Sequence, residues 1–113
     1  MKHSPLFVRT YDLLLWLIPQ TQKFPRAYRF TVAEHIQRLA LAFQDSLVAA
    51  GKTRGKTRRR WLQQADIQLE QLRLWVRFAR DNRLWSVGQY EHVARMLQEV
   101  GRLLGGWLKT IEG

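Results

Sequence analysis

The feature that most narrows what this chain can become is a spacing. Leu62, Ala65, Leu69, Leu72, Val76 and Ala79 recur at intervals of 3, 4, 3, 4 and 3 residues, the repeat of a helix that turns one apolar face against other helices. The same rhythm returns in Ile36, Ala40, Phe43, Leu47 and Ala50, ending at Gly51, and in Tyr90, Ala94, Leu97, Gly101, Leu104 and Leu108. Phe7, Tyr11, Leu14 and Ile18 make a shorter stripe near the N-terminus. No segment alternates with period two and no Asn-Gly or Asp-Gly pair marks a hairpin, so strands are not expected.

Local signals bound these segments. Ser4 reads as an N-cap with Pro5 at the first helical position, where a missing N–H costs nothing. Pro19 is expected to kink that helix or end its regular part, because its ring removes a backbone hydrogen bond. Thr31 with Glu34, and Ser86 with Gln89, have the spacing of capping boxes, and Asn82 reads as the end of the third helix. Four helices of about 20 residues, each about 30 Å long, with short connections predict one all-α domain over residues 1–113, an antiparallel up-down-up-down four-helix bundle.

One bundle does not absorb all the apolar surface. Ile67, Leu74 and Phe78 lie about 180° from the Leu69/Leu72 seam, and Met96, Val100, Leu103 and Trp107 widen the apolar arc of the last helix. These seven are read as a homo-oligomer interface rather than as scattered surface apolars. Gly101 and Gly105, four apart, suggest close backbone approach. Trp61, Trp75, Trp85 and Trp107 fall off or at the edge of the seams, suited to anchoring a subunit contact or to stacking on bases, with anchoring favoured.

Charge then points to the partner. Lys and Arg number 19 against 9 Asp and Glu, a net +10, and fourteen of the nineteen are arginine. The tandem GKTR repeat at 51–60 holds Lys52, Arg54, Lys56, Arg58, Arg59 and Arg60 with no acid. It reads as a flexible basic arm between two helices, suited to phosphate because cations there release condensed counterions; a merely solvated loop is the plainer alternative. Arg73, Arg77 and Arg80 fall within about 60° of helical arc, with Arg83 following. Composition leaves RNA, DNA and an acidic protein open.

Several chemistries lack their residues. There is no cysteine, and the longest aliphatic or aromatic run, Leu13 to Ile18, is far short of the ~20 residues of a membrane span. No secretory signal fits, so a cytoplasmic location is expected. Residues 50–57 imitate a phosphate-binding loop, but Ala50 replaces the first glycine and the segment follows a helix instead of a strand. His3, His35 and His92 have no metal-site spacing, and Glu91 with His92 reads as an ordinary exposed pair. No enzyme activity, cofactor or metal is expected.

Two stretches have a familiar order: Tyr11 to Pro19 leading into Phe24 to Thr31, with its Phe-Pro-Arg turn, and Gln89 to Lys109, with its Gly-Arg-Leu-Leu-Gly-Gly-Trp end. They resemble the accessory variability determinant (Avd) proteins of diversity-generating retroelements over nearly the whole chain, least in the 51–60 segment. The resemblance implies a basic four-helix bundle that assembles as a barrel-like homopentamer and binds the element's error-prone reverse transcriptase and its nucleic acid, RNA or DNA. Only Arg26 and Arg29 carry over from its motifs, as surface or fold-supporting cations. Arg73, Arg77 and Arg80 are the expected partner contact on the face analysis. A related group, the four-helix-bundle proteins of ribosomal-RNA intervening sequences, implies instead an RNA-associated bundle with no reverse-transcriptase partner. A plain oligomeric scaffold is the third reading, in which the charge has no role.

Overall fold

The computed structural model describes residues 3–112, the last by its backbone alone. It contains α1 (Ser4–Gln22), a single turn α2 (Arg26–Tyr28), a π-helical turn (Arg29–Ala33), α3 (Glu34–Gly51), α4 (Gly55–Asp81) and α5 (Val87–Glu112). The α2 turn, the π turn and α3 run on without a break, so the bundle has four helical arms. Among the described residues there is no strand.

Each arm packs on two neighbours, in the ring order α1, α3, α4, α5 and back to α1. Polar contacts show that neighbours are antiparallel. Gln37 at the start of α3 donates from Nε2 to Thr21 Oγ1 at the end of α1 at 2.9 Å, and Arg58 at the start of α4 donates from Nε to the Ala50 carbonyl at the end of α3 at 2.9 Å. Arg59 likewise reaches the Ile111 carbonyl at the far end of α5 at 2.9 Å, and Gln89 reaches Gln20 at 3.4 Å. The arms therefore form two diagonal pairs, α1 opposite α4 and α3 opposite α5.

The seams of α3 and α4 are those of the sequence: Ile36, Ala40, Phe43, Leu47 and Ala50 face Leu62, Ala65, Leu69, Leu72, Val76 and Ala79, all buried. The other two are rotated. In α1 the buried row is Leu6, Thr10, Leu13, Leu17 and Thr21, while Tyr11 is exposed and Phe7, Leu14 and Ile18 are half-buried. Two threonines hid that row from a count of apolar residues; each is tolerated because its hydroxyl donates to a carbonyl one turn back, Leu6 at 2.7 Å and Leu17 at 3.0 Å. In α5 the buried row is Val93, Leu97, Val100, Leu104 and Trp107, again at gaps of 4, 3, 4 and 3.

That rotation corrects two of the seven residues of the expected interface. Val100 and Trp107 are 0% and 3% exposed within one subunit, so neither offers surface to a second copy. Met96 and Leu103 are half-buried and pack against the same core. The α4 row does face solvent: Ile67, Leu74 and Phe78 are 53%, 49% and 40% exposed. Trp85 also belongs to the core, with its indole N–H donating to the Val76 carbonyl at 3.1 Å and its ring against Phe24 and Trp16.

The boundaries divide in the same way. Ser86 and Gln89 form the expected reciprocal box, Gln89 N–H donating to Ser86 Oγ at 3.1 Å and Ser86 N–H to Gln89 Oε1 at 2.9 Å. Thr31 and Glu34 do not. The chain is already helical from Arg26, so Thr31 has no free N–H to cap; its hydroxyl points back to the Tyr28 carbonyl, and Glu34 pairs with Arg38 at 2.7 Å. The cap of α1 is His3 instead of Ser4, and α1 passes through Pro19 to Gln22, with Pro19 on its exposed side.

Candidate nucleic-acid interface

The expected basic arm is mostly helix. Only Lys52, Thr53 and Arg54 connect α3 to α4, and α4 begins at Gly55, whose φ of +59° is a backbone state that favours glycine. Lys56, Arg58, Arg59 and Arg60 thus stand on the first turns of α4, which holds them in fixed directions. An uncapped helix end leaves its last carbonyls without donors and carries partial negative charge. The C-terminal ends of α3 and α5 meet here, and an arginine donates to each; the α3 end also takes the Lys52 and Thr53 N–H groups and the Thr53 hydroxyl. Arg58 donates to the Ala50 and Gly51 carbonyls of α3 and lies 5.7 Å from the Trp107 ring centre, and Arg59 caps α5 at Ile111. Lys52, Arg54, Lys56 and Arg60 are exposed, and none of them pairs with a carboxylate among the described residues.

The α4 row is more neutralised than its sequence suggests. Arg73 pairs with Glu70 at 3.4 Å, and Arg80 pairs with Asp81 at 2.9 Å while lying 5.0 Å from the Tyr90 ring centre. The hydrogen bond to Asp81 raises the Arg80 pKa further, so this guanidinium stays charged at any working pH. Arg77, between them, has no carboxylate partner among the described residues. Gly101 does allow close approach, but by a side chain: a Cβ there would collide with the Arg73 guanidinium and sit 3.5 Å from Leu69 Cδ2. Nothing lies within 4 Å of the equivalent position at Gly105.

Between α4 and α5 these residues line a groove of about 440 Å3, with Glu70, Arg73, Leu74 and Arg77 on one wall, Tyr90 and Gln98 on the other, and Val76, Ala94 and Leu97 between them. The outer face of α5 adds Arg95 and Arg102; Arg102 donates to Glu99, and that bond holds the Glu99 carboxyl below the usual carboxylate range. At the opposite end of the bundle Arg26 is exposed on α2, and Arg29 donates from Nε to the Phe24 carbonyl at 3.2 Å, closing the turn after α1. Arg83 takes φ 59° just past α4, where its N–H and that of Leu84 return to the Arg80 and Ala79 carbonyls.

These cations therefore fall into groups at the two ends of the bundle and along the α4/α5 side. No group of three or more His, Asp or Glu side chains among the described residues could hold a metal ion, and no helix among them is long and apolar enough to cross a membrane. A family model described as bAvd-like matches residues 6–111. The chain belongs to the bAvd-like family. The match takes in every helical arm and all three basic groups, so the Avd resemblance of the sequence and the four-arm structure agree. No curated protein matches it. Among solved structures, this bAvd-like chain is similar to a protein of unknown function from the S23 ribosomal protein family of Bacteroides thetaiotaomicron, with a TM-score of 0.87, 14% identity and coverage of 96% of this chain and 99% of that one. At that identity the likeness is one of fold. Of the features sequence reading missed, the caps made by Arg58 and Arg59 had a signal in two cations at a helix start, but their acceptors are remote in sequence. The Tyr90 and Gln98 wall had none.

Proposed function

We propose that this bAvd-like protein is a non-catalytic accessory subunit of a diversity-generating retroelement, engaging the element's reverse transcriptase and its nucleic acid through cations. The observation that carries the reading is the acid-free group Lys52, Arg54, Lys56 and Arg60, exposed and directed by the α3/α4 junction. Phosphate contacts of this kind supply sequence-independent affinity that falls steeply with salt. The choice of a reverse transcriptase as partner is supported by the bAvd-like family match together with the Avd resemblance of the sequence. Because Glu70 and Asp81 neutralise two arginines of the α4 row, the junction takes precedence over that row as the first contact.

The same reading includes a homo-oligomer, with five subunits on the Avd resemblance. Its support is the placement of exposed apolar side chains on diagonal arms: Val8, Tyr11 and Leu15 on α1, and Ile67, Leu74 and Phe78 on α4. Different patches on opposite sides give head-to-tail contacts, which close into a ring when the rotation allows. The outer face of α5 carries Glu91, Arg95, Gln98 and Arg102 and stays in water.

Co-purification with the neighbouring reverse transcriptase, with and without nuclease, tests the partner. Charge reversal at Lys52, Arg54, Lys56 and Arg60 is expected to abolish it with thermal unfolding unchanged, and retention would move the contact elsewhere. A second reading draws on the fold shared with the S23-family structure: an RNA-associated bundle of the ribosomal-RNA intervening-sequence type. A gene position inside a ribosomal RNA gene, instead of beside a reverse transcriptase and a repeat pair, would decide for it.

A further inference from the structure

The groove between α4 and α5 sets a half-buried tyrosine, Tyr90, across from its cations, a side chain that phosphate binding does not need. On its α4 wall Arg77 is exposed and unneutralised, while Arg73 is fixed by Glu70 and by the space over Gly101. Val76 and Leu97, only 2% and 3% exposed, close the floor between the walls, and the half-buried Ala94 lies beside them. On the α5 wall Tyr90 is half-buried with its ring steadied by Arg80, and the Gln98 amide is exposed. The volume of about 440 Å3 falls within the ~300–1,000 Å3 of ordinary small-ligand sites.

A bare anion is held by cations and N–H donors alone. An aromatic wall beside aliphatic side chains, with a cation at the rim, suits a flat ring that carries a negative group. Nucleic-acid duplexes keep their bases stacked inside and offer such a groove only sugars and phosphates, whereas a single strand can turn a base outward. An acidic peptide would satisfy Arg77 but has no flat ring to lay against Tyr90.

The geometry points to this groove as a subsite for one unpaired nucleotide of a single strand, its base against the half-buried Tyr90 and Ala94 and its phosphate on Arg77. This rests on the reading that the protein binds nucleic acid, and adds to it a place and a preference for unpaired strands. The basic junction would draw in single and double strands alike; the groove would tell them apart.

The test is fluorescence anisotropy on the full chain at low salt, with a labelled oligouridine, the same strand annealed to its complement, and polyglutamate as competitor. The single strand is expected to bind more tightly than the duplex. Tyr90→Ala should weaken single-strand binding about tenfold, the loss of one stacked base, and leave duplex binding unchanged. Tyr90→Phe should keep the preference, and Arg60→Glu should weaken both ligands together. Since Tyr90 is half-buried, Arg77→Glu at an exposed site and photocrosslinking of a 4-thiouridine strand provide readouts independent of folding; crosslinks should map to α4 or α5 residues lining the groove. Equal affinity for the two forms, or crosslinks confined to the junction, would overturn the subsite while leaving the basic-surface reading intact. Displacement by polyglutamate that depends on Tyr90 would replace the nucleotide by an acidic protein. Absence of binding to either form at low salt would remove the basic-surface reading itself.

Discussion

Thr10 and Thr21 occupy equivalent positions in the α1 seam, yet their hydroxyls do different work. Thr10 bonds only to a carbonyl of its own helix, which retains its helical N–H donor, so Thr10→Val should change stability by less than about 0.5 kcal/mol. Thr21 also accepts from Gln37 of α3, and Thr21→Val leaves that half-buried amide without its acceptor. A loss of about 1–2 kcal/mol in urea unfolding is expected there, with no comparable loss at Thr10. Arg83 tests the opposite sign. It holds the left-handed position of a helix end whose N–H groups return to Ala79 and Arg80, a place where glycine carries no Cβ penalty. Arg83→Gly should raise stability by about 0.5–1 kcal/mol, net of the added freedom of the unfolded chain, visible as a higher urea midpoint. These positions were legible in sequence only as polar or basic residues, because their roles depend on a carbonyl or amide elsewhere.

At the scale of elements, the junction of α3 and α4 shows how one repeat can serve two purposes. Its two halves, Gly-Lys-Thr-Arg and Gly-Lys-Thr-Arg, are identical in sequence. The first ends in Arg54, an exposed cap in extended conformation, and the second in Arg58, bound to the end of α3 and beside Trp107. Arg58→Met should therefore cost about 1–2 kcal/mol by leaving helix-end carbonyls without their charged donor, whereas Arg60→Met should stay within about 0.5 kcal/mol. Parallel thermal or urea unfolding of the two variants checks this, and nucleic-acid affinity should show the reverse order of effect. The sequence reading of an arm failed here because a run of cations disfavours an isolated helix, while the carbonyl ends of α3 and α5 supply the compensating negative charge. The π turn at Arg29–Ala33 gave no sequence signal either; it joins α2 to α3 and leaves Phe30 on the surface.

For the whole molecule, the decisive quantity is how much apolar surface one bundle leaves wet. Exposed Ile67, Leu74 and Phe78 lie diagonally across from exposed Val8, Tyr11 and Leu15, so subunits would join by unlike faces. On the proposed assembly, Leu74→Lys combined with Phe78→Glu is expected to reduce the mass measured by light scattering to that of one chain without loss of helix content. An unchanged mass would place the contact on another face. Assembly would also concentrate the +10 of each subunit, making nucleic-acid affinity steeper in salt than for a monomer.

Helix number, order and the seams of α3 and α4 were determined by the sequence alone, because a 3.6-residue period dictates which side chains share a face. It also determined the Ser86/Gln89 cap, which needs only residues three apart. The tertiary structure decided the rest. It rotated the seams of α1 and α5, withdrew Val100 and Trp107 into the core, neutralised Arg73 and Arg80, and turned a basic arm into the first turns of a helix. In each case the deciding partner, a carbonyl, a carboxylate or a neighbouring helix, lies outside the local pattern, where periodicity carries no information about which charges meet.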